Sequence, residues 1–334
     1  MKTITASAPG RCGIVGNPSD MYGGAVVSCT VRERATCRLE IREGPITVVN
    51  ADETGVWRDE ASLELRGDKL DVARAAIRWF ELPVMDGGFQ LNIDTEIPMQ
   101  AGMAGSTAIL TALVGSLAAY RGVNLSPWHI AETTRKVESG ILRILCGLQD
   151  QHMAAFGGLN LMDCTGKAML EQRSDEPLVT VEPLAPWAPQ LPILLAHTGV
   201  PHDSGKVHTP PRERWLAGDP EVRQVYHDLG ELARRAKRAI IEADWPLLGD
   251  LMNRNHELAT RVSGKHDAVE NLIGAARDAG AIGAKLAGAG GGGTIIALSS
   301  RLPELADALL EGGAERILYP SPQPGLAVTV SGDA

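Results

Sequence analysis

Apolar and polar residues are arranged along the chain so that strands and helices alternate from the start. Thr3–Ser7, Val26–Val31, Thr36–Ile41, Ile46–Val49 and Phe89–Ile93 are β-rich runs bounded by Gly, Pro or charged turns. Leu70–Phe80 places Val72, Ala76, Ile77 and Phe80 on one helical face. A long helix is expected after Gly105, and a second from the Ser126-Pro127 start signal toward Gly140. Asp150–Phe156 reads as a short helix that stops at Gly157-Gly158 before the strand Leu159–Met162. Pro177, Pro183, Pro186 and Pro189 then break the pattern between Gly166 and Leu191, which reads as a link between two domains, 1–185 and 186–334. The second half predicts a strand Ile193–Ala196, a loop Gly199–Pro211 and helices over Glu221–Ala243, Trp245–Val262 and Ala268–Ala279. A hairpin Lys285–Ala297 around a glycine run follows, then a helix Leu302–Glu311 and strands Ile317–Tyr319 and Leu326–Val330. The class is α+β, with mostly antiparallel sheet and helices on one side.

Composition sharpens this picture. The chain has 334 residues, 44% of them hydrophobic, which exceeds the roughly 250–300 residues at which single cores tend to split. A net charge of −9 argues against nucleic acid as a partner. Cys12, Cys29, Cys37, Cys146 and Cys164 are odd in number and form no CxxC pair, which argues against a disulfide framework or a cysteine-based zinc site. No apolar run follows Met1, so no secretory signal is expected. No charge occurs between Glu96 and Arg121. The helical part of that stretch would rise roughly 24 Å, short of the ~30 Å a membrane core demands. A buried helix and a cytoplasmic protein, without membrane contact, are expected. Glycine, at 37 residues, is abundant enough to suggest backbone held close to a ligand in several places.

Three glycine-rich segments carry the candidate chemistry. The first runs from Pro9 to Gly24 and contains Arg11, Asn17, Asp20 and Tyr22; Arg11 could meet an anion and Asp20 accept from hydroxyls, or the segment could be a pair of β-turns. The second is Pro98-Met99-Gln100-Ala101-Gly102-Met103-Ala104-Gly105-Ser106-Thr107. A glycine loop that opens an apolar helix offers free N–H groups and the positive end of the helix dipole to phosphate. It lacks the Lys-Ser/Thr pair of a Walker loop. The third, Lys285–Thr294, has GxGxxG spacing at Gly288, Gly290 and Gly293, but a β-branched strand follows where a dinucleotide fold needs a helix. It reads instead as a surface free of side chains over which a ligand can lie. Glu138 should end one helix and Asp150 begin the next, so both carboxylates could face one cleft. One carboxylate with a hydroxyl suits Mg²⁺, and the other could take a proton from a substrate hydroxyl.

In this order and spacing the segments resemble the GHMP kinase superfamily, with motifs at Pro9–Tyr22, Pro98–Ala108 and Lys285–Gly293. The stretch Cys146-Gly147-Leu148-Gln149-Asp150-Gln151 resembles the galactokinase segment. Gly16-Asn17-Pro18-Ser19-Asp20, Asp203–His208, Arg212–Asp219 and Leu251–Asn255 resemble glucuronokinases. The resemblance implies an N-terminal domain like ribosomal protein S5 domain 2, a ferredoxin-like C-terminal domain, and a site between them. It further implies ATP and Mg²⁺ as cofactors. Ser106 and Glu138 would hold the metal, with Thr107 an alternative because the usual adjacent serines are reduced to one. Asp150 would activate the acceptor hydroxyl, and Arg11 would orient Asp150 or stabilise charge. The loop with Pro98 and Ala101–Thr107 would bind nucleotide, and Arg11, Asn17, Asp20, Tyr22, Gly290 and Gly291 the acceptor.

The expected activity is transfer of the γ-phosphate of ATP to the anomeric hydroxyl of a uronic acid, D-glucuronate first. Lys206, Arg212 and Arg214 are the candidate cations for its carboxylate, with Lys206 in the substrate set. A kinase for galacturonate, a heptose, a galactose-like sugar or mevalonate is the alternative, and a catalytically inactive ligand-binding relative is the reading from a different class. Asn17-Pro18-Ser19-Asp20, where galactokinases have Glu-His-Thr-Asp, disfavours galactose itself. A monomer or homodimer is expected.

Overall fold

The computed structural model describes residues 2–84, 88–167, 178–200, 204–288 and 293–332, with backbone only for 204–208. In chain order the strands are β1 (Thr3–Val15), β2 (Ala25–Ile41), β3 (Ile46–Asn50), β4 (Glu53–Trp57), β5 (Phe89–Thr95), β6 (Leu159–Asp163), β7 (Thr180–Pro183), β8 (Ile193–His197), β9 (Gly283–Leu286), β10 (Thr294–Leu298), β11 (Arg316–Leu318) and β12 (Ala327–Ser331). The helices are α1 (Asp71–Trp79), α2 (Gly105–Tyr120), α3 (Pro127–Lys136), α4 (Gln149–Phe156), α5 (Ser204–Leu216), α6 (Pro220–Ile241), α7 (Trp245–Ser263), α8 (Asp267–Asp278) and α9 (Leu302–Glu311).

Two sheets result, in the α+β arrangement expected. The first has the order β12-β1-β2-β5-β3-β4, with β6 and β7 added beside the start of β2, and only the β3–β5 pair is parallel. The second, β11-β8-β10-β9, is antiparallel throughout. Strand alternation explains why the second sheet is covered on both sides. Ile193, Leu195, Ile296 and Leu298 join the main core, while Leu194, Ala196, Ile295 and Ala297 face a second cluster with Leu272, Ile273, Leu305 and Leu309 of α8 and α9.

Strands β4 and β7 and the run of β1 from Ala8 to Val15 were not expected from the sequence, and three further differences have a visible structural basis. The runs Val26–Val31 and Thr36–Ile41 are one strand, which pairs with β1 on both sides of a bulge at the charged stretch, where the register steps from Pro9↔Arg34 to Arg11↔Thr30. Arg34 there bonds to Ser7 Oγ (3.0 Å) and to the carbonyls of Pro324 (2.8 Å) and Gly325 (2.7 Å). The expected loop Gly199–Pro211 is helical from Ser204. Pro210 and Pro211 remove N–H donors, which normally ends a helix, but α5 continues to Leu216 and is anchored where the Trp215 ring lies 4.9 Å from Tyr22. The last strand, β12, pairs antiparallel with β1 from Thr3↔Ser331 to Ser7↔Ala327. Residues 327–331, placed by sequence in the second domain, therefore lie in the first sheet. Among the described residues no helix is long and apolar enough to cross a membrane; α2 is instead buried almost all round.

Candidate active site

A cavity of about 800 Å³ lies where the first and second glycine segments, the 138–150 stretch, Thr209 of α5 and Gly288 meet. The second segment enters it as a string of left-handed residues, Gln100 (φ 54), Gly102 (φ 72) and Ala104 (φ 61). Ala104 is the N-cap of α2 and provides no side-chain acceptor. The first-turn N–H groups of α2 therefore have no capping side chain, and the helix dipole adds positive potential. Backbone packs on backbone behind this loop. A Cβ on Gly288 would come 3.0 Å from the Gly102 carbonyl oxygen, and one on Gly293 would come 2.8 Å from that of Ala101.

Glu138 sits in a π-helical turn, Val137–Ile141, that continues α3, and Asp150 in the first turn of α4. Thr107 Oγ1 donates to Glu138 Oε1 at 2.6 Å, and Gln151 Nε2 donates to Oε2. Burial pushes the Glu138 carboxyl up from 4.5 to about 7; the Thr107 and Gln151 bonds oppose this, and the Asp150 charge adds to it. Arg11 donates twice to Asp150 Oδ1, from Nε at 2.8 Å and Nη2 at 2.6 Å, leaving Oδ2 outside the ion pair. Its Nη1 reaches the Gly102 carbonyl at 2.5 Å, so one guanidinium ties the carboxylate to the glycine loop.

Asp20 shapes the site from behind. Its Oδ2 accepts from the N–H groups of Leu148 (2.7 Å) and Gln149 (2.9 Å), capping the helix that carries Asp150. A Cβ on Gly147 would fall 2.0 Å from that oxygen, so only glycine fits there. Asn17 lines the cavity, but its side chain is engaged with Lys285 Nζ (2.9 Å) and the carbonyls of Ala287 (3.3 Å) and Gly288 (2.8 Å).

The geometry brings together Arg11, Asn17, Asp20, Glu138, Asp150 and all of Ala101–Thr107 on one cavity wall. Within it Ser106 is exposed and Thr107 is the hydroxyl on Glu138. Pro98 and Tyr22 are not on that wall. Tyr22 stacks on Tyr226 with ring centroids 3.7 Å apart. Gly290 and Gly291 lie outside the described residues, as does the side chain of Lys206. Sequence reading missed Gln151, Arg143 and Lys285. Gln151 and Lys285 stood inside the quoted motifs, but nothing local marks a buried amide or ammonium. Arg143 lines the cavity with φ 58, a backbone state that no sequence signal announced.

The residues present fit a magnesium–nucleotide complex. A hydroxyl and a carboxylate are joined at 2.6 Å, and Gln151 Oε1 is buried beside them with no donor. Among the described residues no cluster of three or more His, Cys, Asp or Glu could form an all-protein cage.

Comparison with known proteins agrees in both halves. Residues 70–158 match the model of the GHMP kinases N terminal domain and residues 236–315 that of the GHMP kinases C terminal. A mevalonate kinase of Pyrococcus horikoshii is 28% identical over 98% of each chain. Probable glucuronokinase 2 of Arabidopsis thaliana is 30% identical over 90% of this chain and 86% of its own. In fold, a Lactococcus lactis galactokinase solved with galactose covers 97% of this chain and 95% of its own, at a TM-score of 0.82 and 18% identity. The chain belongs to the GHMP kinases and is a phosphotransferase with an alcohol group as acceptor.

Proposed function

We propose that the protein transfers the γ-phosphate of ATP, with Mg²⁺, to the anomeric hydroxyl of a uronic acid, D-glucuronate, giving the sugar 1-phosphate. The observation that carries the reading is the Arg11–Asp150 ion pair, tied through Arg11 to the glycine loop at the start of α2 in the lining of one cavity. Asp150 Oδ2 accepts the proton of the acceptor hydroxyl as its oxygen bonds to phosphorus and the bond to the ADP oxygen breaks. Arg11 holds Asp150 in place and adds positive charge beside the loop. The N–H groups of residues 102–106 hold phosphate oxygens. Thr107, Glu138 and Gln151 would hold the magnesium ion, with Ser106 at the cavity wall, and the ion would supply neutralising charge to those oxygens.

The acceptor is argued from charge. Glucuronate and mevalonate are both alcohols that carry a carboxylate, so either needs a cation. Arg214 is occupied with Asp219 (2.7 Å) and Glu221 (3.0 Å) on the surface. Arg212 lies between Thr209, on the cavity wall, and Trp215, packed on Tyr22, along one face of α5. Its Nε is buried without a hydrogen-bond partner. It is the cation we assign to the carboxylate. The likeness to the Pyrococcus protein over 98% of both chains favours mevalonate as the second reading.

Phosphorylation of glucuronate, galacturonate, galactose, glucose and mevalonate, compared by kcat/KM with phosphorus NMR of the product, tests the assignment. A uronate preference with the ester at C1 is expected. Preference for mevalonate or a neutral sugar overturns it.

A further inference from the structure

Lys285, in β9, is 1% exposed, and its ammonium meets only neutral oxygens: Asn17 Oδ1 at 2.9 Å, the Gly13 carbonyl at 3.2 Å and the Leu286 carbonyl at 2.5 Å. No acid pairs with it among the described residues. A buried charge satisfied only by neutral groups is a poor stabiliser; an apolar side chain of similar length would normally serve stability as well. Its geometry suggests a different use.

The Lys285 nitrogen has N–H groups to donate whether it is the ammonium or the neutral amine. By occupying Asn17 Oδ1 it dictates which way the Asn17 amide faces, turning Nδ2 toward the Gly288 and Ala287 carbonyls. The same turn is held by the Gly13 N–H on the Ala287 carbonyl (3.1 Å) and by Asn255 of α7. Asn255 accepts from the Gly16 N–H at 2.6 Å and donates to the Asn17 carbonyl at 3.1 Å. A Cβ on Gly13 would sit 2.6 Å from Asn17 Cγ, so the fit leaves no slack. Asn17 and Gly288 both line the cavity, and Gly288 backs onto Gly102.

We propose that Lys285 is a positioning residue for phosphoryl transfer, acting through the Asn17 amide to hold the first glycine segment against the glycine hairpin and so keep the acceptor wall in shape. The residue touches no substrate; its effect is transmitted through Asn17.

The test compares wild type, Lys285→Met, Lys285→Arg, Asn17→Ala, Asn17→Asp and the Lys285→Met/Asn17→Ala double variant. The acceptor is whichever of glucuronate, galacturonate, galactose, glucose or mevalonate wild type uses fastest. Lys285→Met is expected to raise the acceptor KM about tenfold or more while the ATP KM moves less than about threefold. Its thermal midpoint should not fall. The double variant should be no worse than the poorer single one, since both break the same link. Asn17→Asp should also lose activity, because it pairs Lys285 better yet removes the donor to Gly288. Lys285→Arg should recover part of the loss. Hydrogen exchange at 13–17 and 286–288 should quicken in Lys285→Met, a readout that needs no acceptor. Unchanged kinetics and exchange in Lys285→Met, additive losses in the double variant, or equal losses for ATP and acceptor would each overturn the proposal.

Discussion

Two parts of the cavity lining are built by different means, and a buried ionisable group with a displaced pKa supports each. On one side, at the second glycine segment, the shape comes from backbone: left-handed Gly102 and Ala104 and the start of α2. The buried group there is an acid, Glu138, which burial keeps protonated to about pH 7. On the other side, at the first glycine segment, the shape comes from side chains far apart in sequence, Asn17, Asn255 and Lys285. The buried group there is a base, Lys285, which burial, reinforced by the Arg11 charge, drops from 10.5 to about 7. Backbone recognition tolerates little change of backbone, whereas the side-chain wall can be varied to suit different alcohols.

The largest effect should come from the point where the walls meet. Asp150→Asn is expected to lower turnover by roughly 10²–10⁴ while nucleotide affinity, read by calorimetry, stays nearly intact. An equal loss of affinity would move Asp150 to the nucleotide wall. Next, Gly147→Ala forces a Cβ against Asp20 Oδ2 and should displace α4. A drop in kcat of about tenfold to a hundredfold, with the nucleotide Kd little changed, is the expected reading. Thr107→Ala removes the hydroxyl from Glu138, whereas Ser106→Ala leaves that bond in place. The magnesium concentration for half-maximal rate should therefore rise more for Thr107→Ala, and the reverse order would put the metal on Ser106.

The smallest effect is the most diagnostic of the two buried groups. Between pH 4.5 and 7 the folded protein keeps a proton on Glu138 that the unfolded chain has released. The stability due to this group is thus full below 4.5 and is lost as pH rises through 7. For Lys285 the unfolded chain holds the extra proton, so its contribution is present above 10.5 and is lost as pH falls through 7. Thermal midpoints of the ligand-free protein should show Glu138→Gln flattening the acid-side slope and Lys285→Met flattening the alkaline one. Both variants tracking wild type across pH 5–9 would show that neither proton is bound as described.

Much of the glycine-loop side of the cavity was legible along the chain, because its geometry is local. A glycine-rich loop followed by an apolar helix must leave N–H groups free wherever it folds. Carboxylates twelve residues apart, at the end of one helical run and the start of another, had a short path to one cleft. The other side was less legible. Lys285 reads as an ordinary lysine until Gly13, Asn17 and Leu286 surround it. Tyr22 reads as a pocket residue until Tyr226 takes its ring.

By itself, then, the sequence determined the α+β class, nearly all of the helices and strands, the glycine loop and the acid pair, since these depend on periodicity, turn chemistry and short-range spacing. Only the tertiary structure decided the rest. Contact between Trp215 and Tyr22 anchors an α5 that runs through two prolines, pairing with β1 on both sides of a bulge joins the two halves of β2, and an open edge on β1 draws β12 back to the first sheet. Which hydroxyl met Glu138, and which amide a buried lysine oriented, depended on contacts between residues 31 and 268 positions apart. Such contacts are set by how whole layers pack, and no window along the chain contains that information.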